Sequence, residues 1–462
     1  MKGLKINGEV SSSFRDPSGF LFYQDGLIYR QVNKSYREDY DRLMDSGLYK
    51  ALVDDRLLIP HKETDKSYAK SDLVYKVIIP EEISFMSYPY EWSFSQLKEA
   101  ALTTLRIQKR ALQFGISLKD SSSYNIQFRK GRPILIDTLS FERYHKGRPW
   151  VAYRQFCQHF AAPLALMSHT DVRLSQLFRI YIDGIPLDLA SALLPISSRF
   201  NFFILTHIFL HAKAQKHFGG KAVAKEKRMM GDLSLLGLID SLEGGIRKLK
   251  WRTQDTEWAD YYGDTNYSSG AFGHKKELVA EFIEKIKPRT VWDLGANVGV
   301  FGRVASDKGI ETISFDIDPA AVEKNYLETI KKSESNILPL VLDLTNPSPD
   351  IGWENKERAS LFKRGPADMA LALALVHHLA ISNNLPFEKI ARFFSDISNA
   401  VIIEFIPKDD SQVQRLLSTR EDIFNDYNRE GFESAFKRYF TIRKSVEIKD
   451  SKRILYLMAK GD

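Results

Sequence analysis

The segment at 290–302, TVWDLGANVGVFG, constrains this chain most. An apolar run ends in Asp293, and Gly295 and Gly299 then punctuate a tight turn into a helix. Glycine lets a backbone approach a ligand closely and take dihedrals that a side chain forbids. From Val291 onward apolar runs alternate with helical patterns, which predicts a parallel α/β sheet. A second strand, Thr312–Phe315, ends in Asp316, an acidic residue placed to accept hydrogen bonds from ribose hydroxyls. A third, Leu340–Leu342, ends in Asp343. A fourth, Asp368–Val376, runs into His377-His378-Leu379, and a fifth, Ala400–Phe405, carries Glu404 near its end. Polar residues thus gather at the sheet's carboxyl edge, where ligands of open α/β sheets bind.

The D-x-G-x-x-x-G motif at 293–299, followed in order by Asp316, Asp343 and VHHL, resembles the class I S-adenosylmethionine-dependent methyltransferases. The resemblance covers about 260–462. It implies a Rossmann-like sheet closed by an antiparallel hairpin, for which Phe440–Glu447 and Arg453–Ala459 supply strand-like runs. It implies that Gly295, Asn297 and Gly299 lie against the methionine part of S-adenosylmethionine and that Asp293 orients the loop. Asp316 with neighbouring Ile317 would meet the ribose side, and Asp343 with Leu344 the adenine. The segment Trp258 to Lys275, with Tyr267, would lid the cofactor. A nicotinamide site is the natural rival, but its loop wants G-x-G-x-x-G, and this one reads G-A-N-V-G. Methyl transfer is an in-line displacement, so the protein supplies positioning and, where needed, a base. His377, His378 and Glu404 are the candidates for that base. The alternative is that the histidines pack and cap the sheet. No metal ligand set is expected.

The first part mixes strands and helices. Phe20–Tyr23 and Leu27–Val32 flank a short turn and read as a hairpin, residues 37–58 as helical, Leu73–Ile79 as a strand and Phe94–Phe114 as a long helix. Ile126–Phe128 and Ile134–Ile136 read as a second hairpin, and 150–250 is mostly helical. Asp120, Asn125 and Asp137 form a D-x-x-x-x-N…D spacing across this loop and hairpin. Phosphoryl transfer needs a carboxylate to orient a hydroxyl and oxygen ligands for magnesium. The constellation resembles protein-kinase-like and aminoglycoside-phosphotransferase-like folds. That resemblance implies Asp120 as base, Asn125 and Asp137 as magnesium ligands, and Arg30 with Glu38 as the pair positioning the phosphates of ATP. The chain departs from it: Arg30 stands where kinases use Lys, no Gly-rich loop precedes it, and Thr138-Leu139 follow Asp137. The other reading is a substrate-recognition domain whose Asp and Asn cap turns.

Charge divides the chain. Residues 1–250 hold 37 basic and 26 acidic side chains, and 251–462 hold 29 and 33. With the polar stretch after Gly244-Gly245, this predicts two domains, 1–245 and 246–462. The fold class expected is α/β: a C-terminal Rossmann-like methyltransferase sheet and a separate α+β N-terminal domain, kinase-like in one reading. The single cysteine, Cys157, excludes a disulfide framework and a Cys-rich zinc module. The start MKGLKINGEVSSSFRDP has no apolar signal region, and no run of about 18 apolar residues offers a membrane span. A cytoplasmic protein is expected. The longest apolar run, FFILTHIFL at 202–210, reads as a buried helix, with an interfacial membrane helix as its rival.

Across nearly the whole length, SYREDYDRLMDSGLYKALV, SLKDSSSYNIQF, LIDTLSFERY and WVAYRQFCQHF resemble a bacterial group of methyltransferases related to a rhizobial host-specificity nodulation protein. The expected function is methyl transfer to an unidentified acceptor, with small molecules, glycans and surface polymers favoured. The N-terminal domain would select or phosphorylate that acceptor. Two rivals stay open. One is an RNA methyltransferase using the basic 101–250 region, where 23 basic residues face 10 acidic. The other is a pseudokinase-type binding or regulatory protein with a methyltransferase domain.

Overall fold

The computed structural model describes residues 7–218, 229–251 and 269–461. The chain forms two compact units. One comprises Leu4–Arg252 with Asp350–Arg358, the other Thr253–Pro349 with Ala359–Asp462. A helix, Asp232–Lys248, runs through the expected boundary at 245/246 despite its Gly pair. Ile239, Leu242 and Ile246 bury one stripe of that helix, and this packing overrides the local weakness of Gly244-Gly245.

The N-terminal unit begins with β1 (Gly8–Glu9), β2 (Gly19–Gln24) and β3 (Leu27–Asn33). Asp25 and Gly26 both take positive φ, 51° and 76°, the twist that a two-residue hairpin turn requires. The expected helix over 37–58 is two helices, α1 (Arg37–Asp45) and α2 (Leu48–Asp54), broken where Gly47 takes φ 83°. Next come β4 (His61–Thr64) and β5 (Val74–Pro80), which complete a sheet ordered β1-β2-β3-β5-β4. Helix α3 (Phe94–Gln113) starts at a capping box in which Ser93 and Gln96 satisfy each other's backbone amides. It leads to β6 (Ile116–Leu118), the hairpin β7 (Ile126–Arg129) and β8 (Arg132–Leu135), and β9 (Phe141–Arg143), which pairs with β6. Helical turns fill 153–218.

One piece of this unit comes from far along the chain. In Asp350–Arg358, Glu357 pairs with Arg15, the Lys356 carbonyl accepts from Ser11 Oγ at 2.7 Å, and the Arg358 guanidinium lies 4.3 Å from the Tyr124 ring centre.

The C-terminal unit is a seven-stranded sheet. Its strands are β10 (Thr290–Leu294), β11 (Glu311–Asp316), β12 (Ile337–Val341), β13 (Ala367–Ala372), β14 (Ser398–Phe405), β15 (Thr441–Glu447) and β16 (Ile454–Ala459). They are ordered β12-β11-β10-β13-β14-β16-β15. The first five are parallel, and β16 runs antiparallel between β14 and β15, forming the closing hairpin. The central strands are buried along nearly their whole length, as parallel strands covered by helices must be. Helix Ser269–Ile286 lays Val279, Phe282 and Ile283 on Val291, Leu371, Ile402 and Leu455. Among the described residues no helix is long and apolar enough to cross a membrane.

Candidate functional site

The parallel register brings the carboxyl ends of β10, β11, β12, β13 and β14 to one edge. Asp293 closes β10 inside the unit, 1% exposed, and accepts the Gly302 amide. Burial pushes its carboxyl up to about 7. A Cβ on Gly302 would fall 2.8 Å from Ser314 Oγ and 3.0 Å from Asp293 Oδ2, so this glycine seats the helix on the sheet. The loop between takes positive φ at Gly295 (72°), Asn297 (50°) and Gly299 (78°), and Gly299 caps the helix Val300–Ser306. Its path is fixed from outside. The Gly295 and Ala296 amides both donate to the Phe315 carbonyl at 2.9 Å, and Arg303 Nη1 donates to the Val298 carbonyl at 2.7 Å.

Asp316 joins the two strand ends. Its Oδ2 accepts the Asn297 amide at 2.7 Å and its Oδ1 the Asp318 amide at 2.9 Å. Burial raises its carboxyl to about 6, against the pull of those amides. Directly after it, Ile317 stands 59% exposed, a large apolar side chain left uncovered beside a buried carboxylate. Asp343 and Leu344 are half-buried at the next strand end, with Asp343 Oδ1 accepting from Thr345 N and Oγ. Tyr267 lies outside the described residues.

The three base candidates separate. β13 ends at Ala372, short of the expected Val376, because Ala374 turns to φ 52°. Glu404 makes that turn: buried in β14, it accepts the Ala374 amide at 2.8 Å and the Lys275 ammonium at 2.7 Å through Oε2. Arg453 stands 3.8 Å from its other oxygen and is itself anchored on Asp410. Glu404 is therefore a tether for the loop bearing the histidines, not a free base. His377 is buried, and burial, then His378, Arg453 and Lys275, hold its ring neutral and well below the usual histidine range. His378 is half-buried, its ring centre 4.0 Å from that of His377. Lys275 and Arg453 carry no local motif. The one sequence signal is a lysine on the stripe Ala271, Leu278, Phe282, where an apolar residue is expected.

In the N-terminal unit the spaced residues converge. Asp120 hydrogen-bonds Asn125, and burial followed by the Asp137 charge raises its carboxyl. Arg30 Nη1 contacts Asp137 Oδ1 at 2.6 Å. Glu38 does not pair with Arg30: it is exposed on the first turn of α1, and the buried guanidinium takes Asp137 and, at 3.8 Å, Asp16 instead. The Asp137 carboxylate also accepts the Leu139 amide at 2.9 Å and Ser140 Oγ at 2.8 Å. Arg30 and the Leu139 amide on Oδ1 and Ser140 on Oδ2 thus commit this carboxylate within the chain, and the arrangement lends no support to the expected magnesium and ATP site.

Sheet order, closing hairpin and glycine loop together define a class I methyltransferase-type α/β unit. No family model matches the chain. It is 35% identical over 467 residues to nodulation protein NoeA of Rhizobium meliloti (strain 1021), across 98% of this chain and 97% of that one. The chain belongs to the NoeA family. Among solved structures it is similar to magnesium protoporphyrin IX methyltransferase (ChlM) from Synechocystis PCC 6803 with bound SAH: 13% identity, TM-score 0.32, 44% of this chain and 93% of that one. It is also similar to the bifunctional kinase-methyltransferase WbdD, at 14% identity and TM-score 0.29, over 43% of this chain and 41% of that one.

Proposed function

We propose that the C-terminal unit binds S-adenosylmethionine and transfers its methyl group to an acceptor chosen by the N-terminal unit. The observation that carries the reading is Asp316, which holds the Asn297 amide of the glycine loop and stands beside the exposed Ile317. These groups fit a nucleoside ligand. The Asp316 carboxylate receives the Asn297, Asp318 and Ile317 amides and keeps acceptor capacity for a ribose hydroxyl, Ile317 offers an apolar face to adenine, and the positive-φ loop admits close backbone approach. Asp343 and Leu344 would border the adenine, and the backbone of Gly295, Asn297 and Gly299 the methionine part.

When bound, the cofactor supplies a sulfonium methyl group for displacement by a nucleophile. The chain's part is positioning. Lys275 and Glu404 form an ion pair and fix the turn at Ala374, just ahead of the two histidines that follow β13. His378, the less buried of the two, is the group that would take a proton from the acceptor, and neutral His377 backs its ring. A small molecule, a glycan or a surface polymer is the acceptor class favoured. Asp120 and Asn125 serve recognition in this reading, and no phosphotransfer step is assigned to Asp137.

Thermal unfolding tests the proposal. S-adenosylhomocysteine at 100 times its Kd should stabilise the cofactor-binding state by about 2.7 kcal/mol, and Asp316→Ala should abolish that rise. Equal shifts in both proteins would remove the assignment.

A further inference from the structure

We propose that the N-terminal unit docks on an anionic lipid bilayer through the apolar face at Leu193–Leu210. Ile196, Phe200 and Phe202 are 77%, 93% and 73% exposed within seven residues, and Leu193 and Leu210 extend the exposure on either side. The run FFILTHIFL explains the face. Its inner side already buries Phe203, Ile204 and Ile208, so the phenylalanine and leucine on its outer side have no place in the core. A short helix with apolar side chains on both its buried and its exposed faces fits neither a water-facing surface nor a span. Patches of this kind mark interaction surfaces.

Charge selects the partner. Arg199 and Lys213, both exposed, flank the apolar residues. From Ala190 to Phe218 the sequence carries Arg199, Lys213 and Lys216 and no acidic residue. Apolar side chains rimmed by cations are the arrangement that inserts at the headgroup boundary of anionic membranes. A neutral protein partner would leave those cations unanswered, and a nucleic acid would leave the exposed Phe and Ile side chains in water.

Co-sedimentation of the full chain tests this. The vesicles are phosphatidylcholine alone or with 30 mol % phosphatidylglycerol. Binding is expected on the anionic vesicles, at least tenfold weaker on neutral ones, and falling as salt rises and screens the rim. The variant Ile196→Ser/Phe200→Ser/Phe202→Ser should lose at least tenfold in partition while keeping its far-ultraviolet spectrum, since all three side chains lie outside the core. Equal partition of wild type and variant would overturn the proposal, as would absence of sedimentation on either vesicle. A dimer seen by light scattering that dissociates in the variant would assign the face to a second copy. Binding of a single-stranded RNA with equal affinity by wild type and variant, without lipid binding, would assign the cations to nucleic acid. Should the variant fail to fold, the lipid and salt dependence of the wild type decides alone.

Discussion

Lys275→Met should destabilise the C-terminal unit more than any surface change. Lys275 and Glu404 are 2% and 0% exposed, and their charged atoms are 2.7 Å apart. Removing the ammonium takes away the counter-charge 2.7 Å from a carboxylate in the core, while the Ala374 amide stays bonded and a guanidinium stays at 3.8 Å. Breaking a buried pair from one side costs about 3–5 kcal/mol. At roughly 2–4 °C per kcal/mol for a unit of this size, the unfolding midpoint should fall by about 6–20 °C. The double variant Lys275→Met/Glu404→Leu removes both charges and should recover most of that loss. About 1–3 kcal/mol would stay lost, because the Ala374 amide no longer has an acceptor. Urea unfolding of the two single variants and the double variant gives the cycle. A single-variant loss under 1 kcal/mol, or a double-variant loss equal to the sum of the singles, would refute the idea that the pair holds the histidine loop.

Three further outcomes follow from the same geometry. The Asp293 carboxyl is raised from its ordinary value to about 7. The native state therefore holds a proton that the unfolded chain has released, and stability falls as pH rises from about 4 to 7. Asp293→Asn should gain about 2–3 kcal/mol on wild type between pH 5 and pH 8, read by urea unfolding at each pH, and a constant difference would contradict this. Gly299→Ala forces φ 78° on a side chain whose Cβ would meet Asn325 and Arg303 at 2.5–2.7 Å. A loss of about 1–3 kcal/mol in stability with weaker S-adenosylhomocysteine binding is expected, measured by unfolding and calorimetry, and an unchanged affinity would remove the loop from the site. Titration with ATP and magnesium should give no heat, since Arg30, Leu139 and Ser140 occupy Asp137; a magnesium-dependent signal lost in Asp137→Ala would show that Arg30 yields.

The readable parts of this chain are those whose signal is local. Strand, glycine turn and helix at 290–306, and the acidic residue closing the next strand, lie within a few residues of one another, so backbone chemistry alone points to them. The edge strand His61–Thr64 escaped because HKET is polar on both faces, with no alternation to detect. The overlong fourth strand has the opposite cause. LALALV is apolar throughout, and what ends the strand is Glu404, distant in sequence, pulling Ala374 into a turn. The same holds for Arg30. Sequence order put Glu38 forward as its partner, but the fold brings Asp137 closer. Asp350–Arg358 gives no sign in its own residues that it packs with Ser11, Arg15 and Tyr124, more than 200 positions earlier in the chain, within the N-terminal unit. Pairings across such separations are set by topology, which local pattern does not encode.

The central claim is that Asp316 and the glycine loop hold S-adenosylmethionine. Calorimetric titration of the full chain with S-adenosylhomocysteine, beside Asp316→Ala, tests it most directly. The account predicts a saturable, single-site heat in the wild type and none in the variant. A flat wild-type trace, or equal binding by both proteins, would contradict it.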